Sequence, residues 1–102
     1  GVVAALREAM EAAGLAPERA AIGPGIGPCC YAVGPEVLEA LAPFRSLARG
    51  GADSIDLAAA ARAGLEGLEV WQAGICTACG EGFHSYRRDR TLQRQVTVAW
   101  LA

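Results

Sequence analysis

The most distinctive segment of this 102-residue chain is Ile22-Gly23-Pro24-Gly25-Ile26-Gly27-Pro28-Cys29-Cys30-Tyr31-Ala32-Val33-Gly34, called here the Gly/Pro loop. It holds four glycines and two prolines within thirteen residues. Glycine allows positive φ and close backbone approach, whereas proline fixes φ and removes a hydrogen-bond donor. A flexible linker would combine glycine with serine instead. The segment therefore predicts one stiff loop of defined shape.

A second distinctive segment, Phe83-His84-Ser85-Tyr86-Arg87-Arg88-Asp89, follows downstream. Together the two segments resemble the YfiH family, whose members are described as polyphenol oxidases or laccases, as zinc-dependent purine nucleoside phosphorylases and as peptidoglycan editing factors. Members carry I-G-P-x-I-G-P-C-C-Y-x-V-G, then L-D-L, C-T, F-F-S-Y-R-R-D or F-F-S-H-R-R-D, and a final hydrophobic strand. The matching pieces here, in the same order, are residues 22–34, 55–57, 76–77, 83–89 and 96–101.

The resemblance implies an α+β fold, a layered sandwich of mixed β-sheet with flanking helices, present here only in part. In the family the metal ligands are two histidines and a cysteine that lie upstream, the last in an H-A-G-W-R-G-like segment. Gly1 stands at about the point where that segment ends. We therefore expect residues 1–102 to be a single domain or the C-terminal part of a larger one. We therefore also expect this chain to pack against the missing N-terminal part of the same protein.

Composition limits the partners. The net charge of −2 and the pI near 5.3 argue against nucleic-acid or anionic-membrane partners, because neutralising phosphates requires a basic surface. No apolar run approaches the ~20 residues of a membrane span, and we expect a cytoplasmic protein. The 53% hydrophobic content fits two explanations, an alanine-rich sequence or apolar surface that belongs against absent chain. The absence of lysine excludes a P-loop or a Schiff-base lysine within these residues.

Local patterns predict the elements. Three local signals predict three helices. Apolar residues at helical spacing end at Gly14, Pro35 suits a first helical position, and Asp56 is a good N-cap. The predicted helices are residues 2–13, 35–41 and 57–65, and the predicted strands are residues 19–22, 69–75 and 95–101. Residues 45–52, which contain Gly50-Gly51, are predicted as a surface loop. Without strict βαβ alternation, this order indicates the α+β class.

The Gly/Pro loop fails the dinucleotide-binding pattern, because Pro28 or Cys30 stands where G-x-G-x-x-G needs its last glycine. Two interpretations remain. The loop is a stiff turn between strand and helix, or the backbone N–H groups of Gly25, Ile26 and Gly27, with the helix that follows, hold an anion or a polar edge of a substrate.

The four cysteines stand as Cys29-Cys30 and Cys76-x-x-Cys79. Adjacent cysteines make a poor chelating pair, so we expect buried free cysteines and no metal ligands in this chain. A thiol-redox module built on Cys76 and Cys79 is the alternative. The resemblance to the YfiH family implies a zinc cofactor, or copper in the alternative activity, only for the intact enzyme.

The segment 83–89 holds further candidates. A strand here would place His84, Tyr86 and Arg88 on one face. Many relatives have Phe at the position of His84, so we expect an added ligand or proton donor there and no indispensable base. Arg87 and Arg88 either form a local ion-pair cluster with Asp89 or clamp phosphate through a guanidinium fork.

The resemblance implies an intact zinc enzyme that acts on purine nucleosides, by phosphorolysis with phosphate or by deamination. One alternative is a copper-dependent polyphenol oxidase, and another is a non-catalytic fragment or assembly module. Expressed alone, these residues are expected to bind no stoichiometric zinc or copper, to be inactive and to self-associate through exposed apolar faces.

Overall fold

The computed structural model describes residues 1–100, which form an α+β arrangement of short elements. The helices are α1 (Val2–Ala12), α2 (Pro35–Ala40), α3 (Leu57–Ala63) and α4 (Tyr86–Asp89), with one 3-10 turn at Ala42–Phe44. The strands are β1 (Arg19–Ile22), β2 (Arg45–Leu47), β3 (Asp53–Ile55) and β4 (Glu69–Gln72). The predicted class is confirmed. In the described residues, however, the strands form two separate two-stranded sheets.

The helix ends follow the local signals. α1 stops where Gly14 takes a φ of 77°, and the Leu15 N–H donates to the Met10 carbonyl at 2.8 Å, which closes the last turn. α3 begins at the predicted N-cap, where the Asp56 carboxylate accepts the Ala59 N–H at 3.0 Å. α2 has Pro35 at its first position, as predicted.

The pairing of β1 with β4 sets the position of the Gly/Pro loop. The two strands run parallel, with Arg19 opposite Glu69 and Ile22 opposite Gln72. β4 ends earlier than predicted because Gly74 adopts a φ of 67°, a conformation that leaves the strand region. The backbone ladder nevertheless continues beyond both strands.

Beyond β1 and β4, the backbone ladder joins the Gly/Pro loop to residues 76–80, called here the cysteine turn. Gly25 forms a parallel bridge with Cys76. The Gly25 N–H donates to the Ile75 carbonyl at 3.3 Å, and the Thr77 N–H donates to the Gly25 carbonyl at 3.0 Å. Two loops far apart in sequence are therefore held side by side at the carboxyl ends of a parallel pair.

The predicted surface loop at residues 45–52 is wrong in part. β2 pairs antiparallel with β3, with Ser46 opposite Ser54. Gly50 and Gly51 take φ values of 88° and 87° and turn the chain between them. The loop prediction missed the hairpin because each strand has only three residues, too few to show an alternating pattern.

The predicted strand geometry at residues 83–89 is also wrong. The Ser85 hydroxyl accepts the Arg88 N–H at 3.3 Å and caps α4, and Arg90 ends that helix with a φ of 57°. A serine followed by three residues able to continue a turn is an N-cap signal that the period-2 interpretation overlooked. His84, Tyr86 and Arg88 therefore do not share one strand face.

The predicted strand at residues 95–101 is absent over residues 95–100, and Leu101 lies outside the described residues. The alternation of apolar side chains is present, but no strand of the described part of the chain pairs with it. A strand needs a hydrogen-bonded neighbour as well as the right residues. Val96 and Trp100 remain about 80% exposed.

The core of the described chain is small. Ile55 and Ala78 are its buried hydrophobic residues, and Ser54 lies beside Ile55 with no exposed surface. Many large apolar side chains remain exposed: Val2, Leu6, Leu15, Leu47, Trp71, Leu92, Val96, Val98 and Trp100 are each more than half exposed. Within residues 1–100, no helix has the length and apolar character needed to cross a membrane.

The cap of α3 yields a stability prediction. Replacing Asp56 with alanine removes the acceptor of the Ala59 N–H and should lower the free energy of unfolding by about 1 kcal/mol. Replacing Asp56 with asparagine keeps a capping oxygen and should cost only a few tenths of that. Urea unfolding of the two variants checks this, and equal midpoints would contradict it.

Candidate active site and cysteine cluster

An open pocket of about 350 Å³ lies beside the joined loops. The Gly/Pro loop forms one wall, Gln72 at the end of β4 with residues 74–76 forms a second, and residues 56–58 at the start of α3 form the third. Its volume falls in the range of small-molecule sites, roughly 300–1,000 Å³. The pocket exists because the β1–β4 ladder places the loop against the segment that follows β4.

Few polar groups face this pocket. Asp56 is the one carboxylate of its lining, and Gln72 adds an amide. One Asp56 oxygen caps α3, while the Ile26 N–H has no hydrogen-bond partner among residues 1–100. A carboxylate repels a phosphate and accepts hydrogen bonds from N–H or O–H groups. The lining thus suits a largely neutral ligand with polar edges better than an anion.

The structure brings together three of the predicted site residues. Gly25, Ile26 and Gly27 all line the pocket. The helix start that borders it belongs to α3, however, whereas the sequence interpretation assigned that place to the helix after the loop, α2. Asp56 was predicted only as an N-cap, and its position at the pocket could not be read from sequence.

Arg88 is fully engaged with its own part of the chain. Its Nε donates to the Asp89 carboxylate at 2.8 Å, and this hydrogen bond lowers the pKa of Asp89. Its Nη atoms donate to four backbone carbonyls, those of Thr77, Ala78, Gly80 and Phe83. A guanidinium has five N–H donors, so little capacity remains for phosphate. The contacts favour the local-cluster interpretation for Arg88.

Arg87 is held differently. It donates one hydrogen bond to the Ala32 carbonyl at 2.6 Å, and its guanidinium carbon lies 5.0 Å from the centre of the Tyr31 ring. Both partners belong to the Gly/Pro loop, but Arg87 does not line the pocket. Its remaining donors are available, and the stacked ring fixes the orientation of the group.

His84 lies apart from the pocket. Its side chain is exposed, and its backbone N–H donates to the Gln95 side chain at 2.8 Å. Its suggested role as an added ligand or proton donor stays a prediction.

The four cysteines meet at one point. Their Sγ atoms all lie within 4.8 Å of one another. The Cys29 Sγ is 3.6 Å from that of Cys30 and 3.7 Å from that of Cys79. The cysteines are half-buried or, for Cys79, exposed, so the expectation of buried cysteines was wrong. Four thiols at this spacing have the donor set of a metal site.

Sequence reasoning kept the two cysteine pairs separate because Cys29 and Cys79 are 50 positions apart. The available signal was that each pair follows a strand, and β1 and β4 pair in parallel. Without knowledge of that pairing, the four thiols cannot be placed together.

Cys76 has the most polar surroundings of the four. Burial raises the pKa of its thiol, but hydrogen bonds from the backbone N–H groups of Gly27, Cys79 and Ala78 outweigh burial and lower the pKa from 9.0 to about 6. The Gly27 N–H lies 3.2 Å from the Cys76 Sγ. Burial raises the pKa of Cys29. Cys76 is therefore the most readily ionised of the four thiols, and a metal ligand and a redox thiol both act as thiolates.

Glycine avoids close contacts at two positions around this cluster. A Cβ on Gly27 would lie 3.2 Å from the Cys76 Cβ and 3.4 Å from the Cys29 Sγ. A Cβ on Gly80 would lie 2.6 Å from the Cys76 carbonyl oxygen. Gly27 therefore lets the Gly/Pro loop approach the cysteine turn closely, and Gly80 lets that turn close on itself.

This close approach yields a second prediction. Replacing Gly27 with alanine should push the loop from the cysteine turn and lower the free energy of unfolding by about 1–3 kcal/mol. Gly25 is the matched control, since a Cβ there meets open space, and Gly25→Ala should change stability by less than about 0.5 kcal/mol. Thermal and urea unfolding distinguish the variants, and equal losses would refute the packing argument.

Known proteins resemble this chain over most of its length. A purine nucleoside phosphorylase of Xylella fastidiosa (strain Temecula1) is 37% identical over 97% of this chain and 41% of its own length. A purine nucleoside phosphorylase of Streptomyces coelicolor is 36% identical over 99% of this chain and 46% of its own length. One of Deinococcus radiodurans is 43% identical over 80% of this chain and 36% of its own length. This chain thus spans less than half of each relative. No solved structure matches it significantly.

The family comparison covers the chain completely. The family described as multi-copper polyphenol oxidoreductase laccase matches residues 1–102. The match includes the Gly/Pro loop, the cysteine turn and the segment 83–89 from which the YfiH resemblance was drawn. The chain therefore belongs to this multi-copper polyphenol oxidoreductase laccase family, of YfiH type.

Proposed function

We propose that the protein containing this chain is a purine nucleoside phosphorylase, and that this chain forms the wall against which the nucleoside binds. The observation that carries the proposal is the pocket between the Gly/Pro loop and the start of α3, with one carboxylate among apolar walls. The relatives named purine nucleoside phosphorylase support the substrate class.

The lining suits the nucleoside better than the phosphate. Ile22, Ile26 and Ile75 offer apolar surface to a flat base, while Asp56 and Gln72 accept or donate hydrogen bonds at its polar edge or at a ribose hydroxyl. The free N–H of Ile26 adds a donor. The negative charge of Asp56 opposes an anion in the same space.

Phosphate therefore needs a cation outside the pocket lining. Of the two predicted arginines, Arg87 has N–H donors available, whereas Arg88 donates its N–H groups to Asp89 and to backbone carbonyls. Arg87 is fixed against Tyr31 of the Gly/Pro loop, and a guanidinium fork matches phosphate. We assign the phosphate contact of this chain to Arg87, and we retain His84 as a candidate proton donor on sequence grounds alone.

A catalytic metal is not supplied by these residues. A catalytic zinc takes about three protein ligands and leaves one position open, whereas the four cysteines would occupy every position. Polyphenol-oxidising copper favours imidazole ligands, and the chain has one histidine. In this proposal the reactive metal belongs to the upstream histidines and cysteine that the resemblance implies. Deamination of adenosine is a second reaction of the same site.

The name of the matching family supports one alternative, copper-dependent oxidation of polyphenols by the intact protein.

The exposed apolar side chains support a further proposal about partners, that the remaining part of the same protein packs on this chain and that the isolated chain self-associates. We place the protein in the cytoplasm.

The function is tested with full-length protein. Inosine with phosphate should yield hypoxanthine and ribose 1-phosphate, measured by chromatography, and omission of phosphate should stop the reaction. Adenosine tests deamination, and a phenolic dye with copper tests the oxidase alternative. Dye oxidation without hypoxanthine release would favour the oxidase. Failure of all three reactions would favour the non-catalytic module.

Two substitutions should separate the nucleoside and phosphate contacts. Asp56→Asn keeps the helix cap but weakens a hydrogen bond to the ligand, so the KM for inosine should rise about tenfold with the KM for phosphate unchanged. Arg87→Ala should raise the KM for phosphate by a similar factor and leave the KM for inosine unchanged. Arg45→Ala, an exposed arginine of β2, is the control. Equal changes in both KM values would contradict the assignment.

A further inference from the structure

We propose that Cys29, Cys30, Cys76 and Cys79 form a structural zinc site, closed by four thiolates, that fastens the Gly/Pro loop to the cysteine turn. This inference does not depend on the proposed phosphorylase activity. It replaces the expectation from sequence that this chain holds no metal ligands.

The sulfur positions have the dimensions of a tetrahedral site. With Zn–S bonds of about 2.3 Å, a regular ZnS₄ tetrahedron has S···S edges of about 3.8 Å. The Cys29–Cys30 and Cys29–Cys79 edges measure 3.6 and 3.7 Å, and all four sulfurs lie within 4.8 Å of one another. The remaining S···S distances, none above 4.8 Å, would have to close to that value as the metal binds.

The backbone supplies both halves of the site. Cys76-x-x-Cys79 has the spacing of a zinc knuckle, and the Gly80 N–H donates to the Cys76 carbonyl at 2.8 Å to close its turn. On the other side, the Cys30 N–H donates to the Gly27 carbonyl at 3.1 Å. That turn directs two adjacent sulfurs to one point, which the general rule against adjacent cysteine ligands does not anticipate.

The surroundings fit a negatively charged cluster. Four thiolates around Zn²⁺ leave a net charge of −2. The Gly27 N–H donates to the Cys76 sulfur at 3.2 Å, the kind of outer-shell contact that orients a ligand. Arg88 adds a cation, since its Nη1 donates to the carbonyls of Thr77 and Ala78 between the two knuckle cysteines.

Zinc fits this donor set best. Thiolates select Zn²⁺, Cu⁺ and iron–sulfur clusters, and a tetrahedral S₄ set is typical of structural zinc. Binding involves no oxidation: each protonated thiol releases its proton to solvent as its sulfur binds the metal. A closed site has no place for substrate, so its role is to hold the pocket wall to which Cys29 and Cys76 belong.

The experiment uses full-length protein purified under reducing conditions and measures zinc by elemental analysis. Cys79→Ser should contain one equivalent of zinc less than the wild type. Cys79→His keeps a ligand and should keep the metal. Thr77→Ser changes a residue inside the knuckle that is not a ligand, and should leave the zinc content unaltered.

Cobalt substitution provides an independent readout. Wild-type protein loaded with Co²⁺ should show thiolate-to-cobalt charge-transfer absorption, reduced in Cys79→His and lost from this site in Cys79→Ser. Equal zinc content and equal cobalt spectra in the wild type and Cys79→Ser would overturn the proposal.

A measurement on the wild type covers the case in which Cys79→Ser does not fold. Iodoacetamide labelling, mapped by mass spectrometry, should leave all four cysteines protected until a zinc chelator is added, and then label all four. Labelling independent of the chelator would overturn the proposal, as would a disulfide between Cys29 and Cys79 in the reduced preparation.

Discussion

The parallel backbone ladder between β1 and β4 is the contact on which the rest of the site depends. It pairs Ile22 with Gln72 and continues as the bridge between Gly25 and Cys76. Because parallel strands end at the same edge, the loops that follow them meet there. The pocket, the cysteine cluster and the Arg88 contacts all lie at this edge.

Close approach at that edge constrains the residues on both sides. A Cβ on Gly27 would press on Cys76 across the two loops, and a Cβ on Gly80 would collide with the Cys76 carbonyl inside the cysteine turn. Arg88 adds hydrogen bonds to four carbonyls of residues 77–83. Among residues 1–100, the buried hydrophobic residues are Ile55 and Ala78. Hydrogen bonds therefore cross-link this edge, and a four-thiolate metal site would be one more such cross-link.

One residue serves both fold and pocket. Asp56 caps α3 and is also the carboxylate of the pocket lining. Its carboxylate has two oxygens, so one satisfies the helix while the other remains available to a ligand. This arrangement makes the pocket anionic at one edge, which separates the proposed nucleoside contact from the phosphate contact assigned to Arg87.

Local signals in the sequence determined the helix ends at Gly14 and Asp56 and the short strand β1, because caps and turns depend on neighbours within a few residues. They did not determine whether residues 95–100 find a pairing strand. They could not bring Cys29 to Cys79, which lie 50 positions apart. The tertiary structure decided both, because strand pairing and ligand convergence depend on long-range contacts that no local pattern encodes.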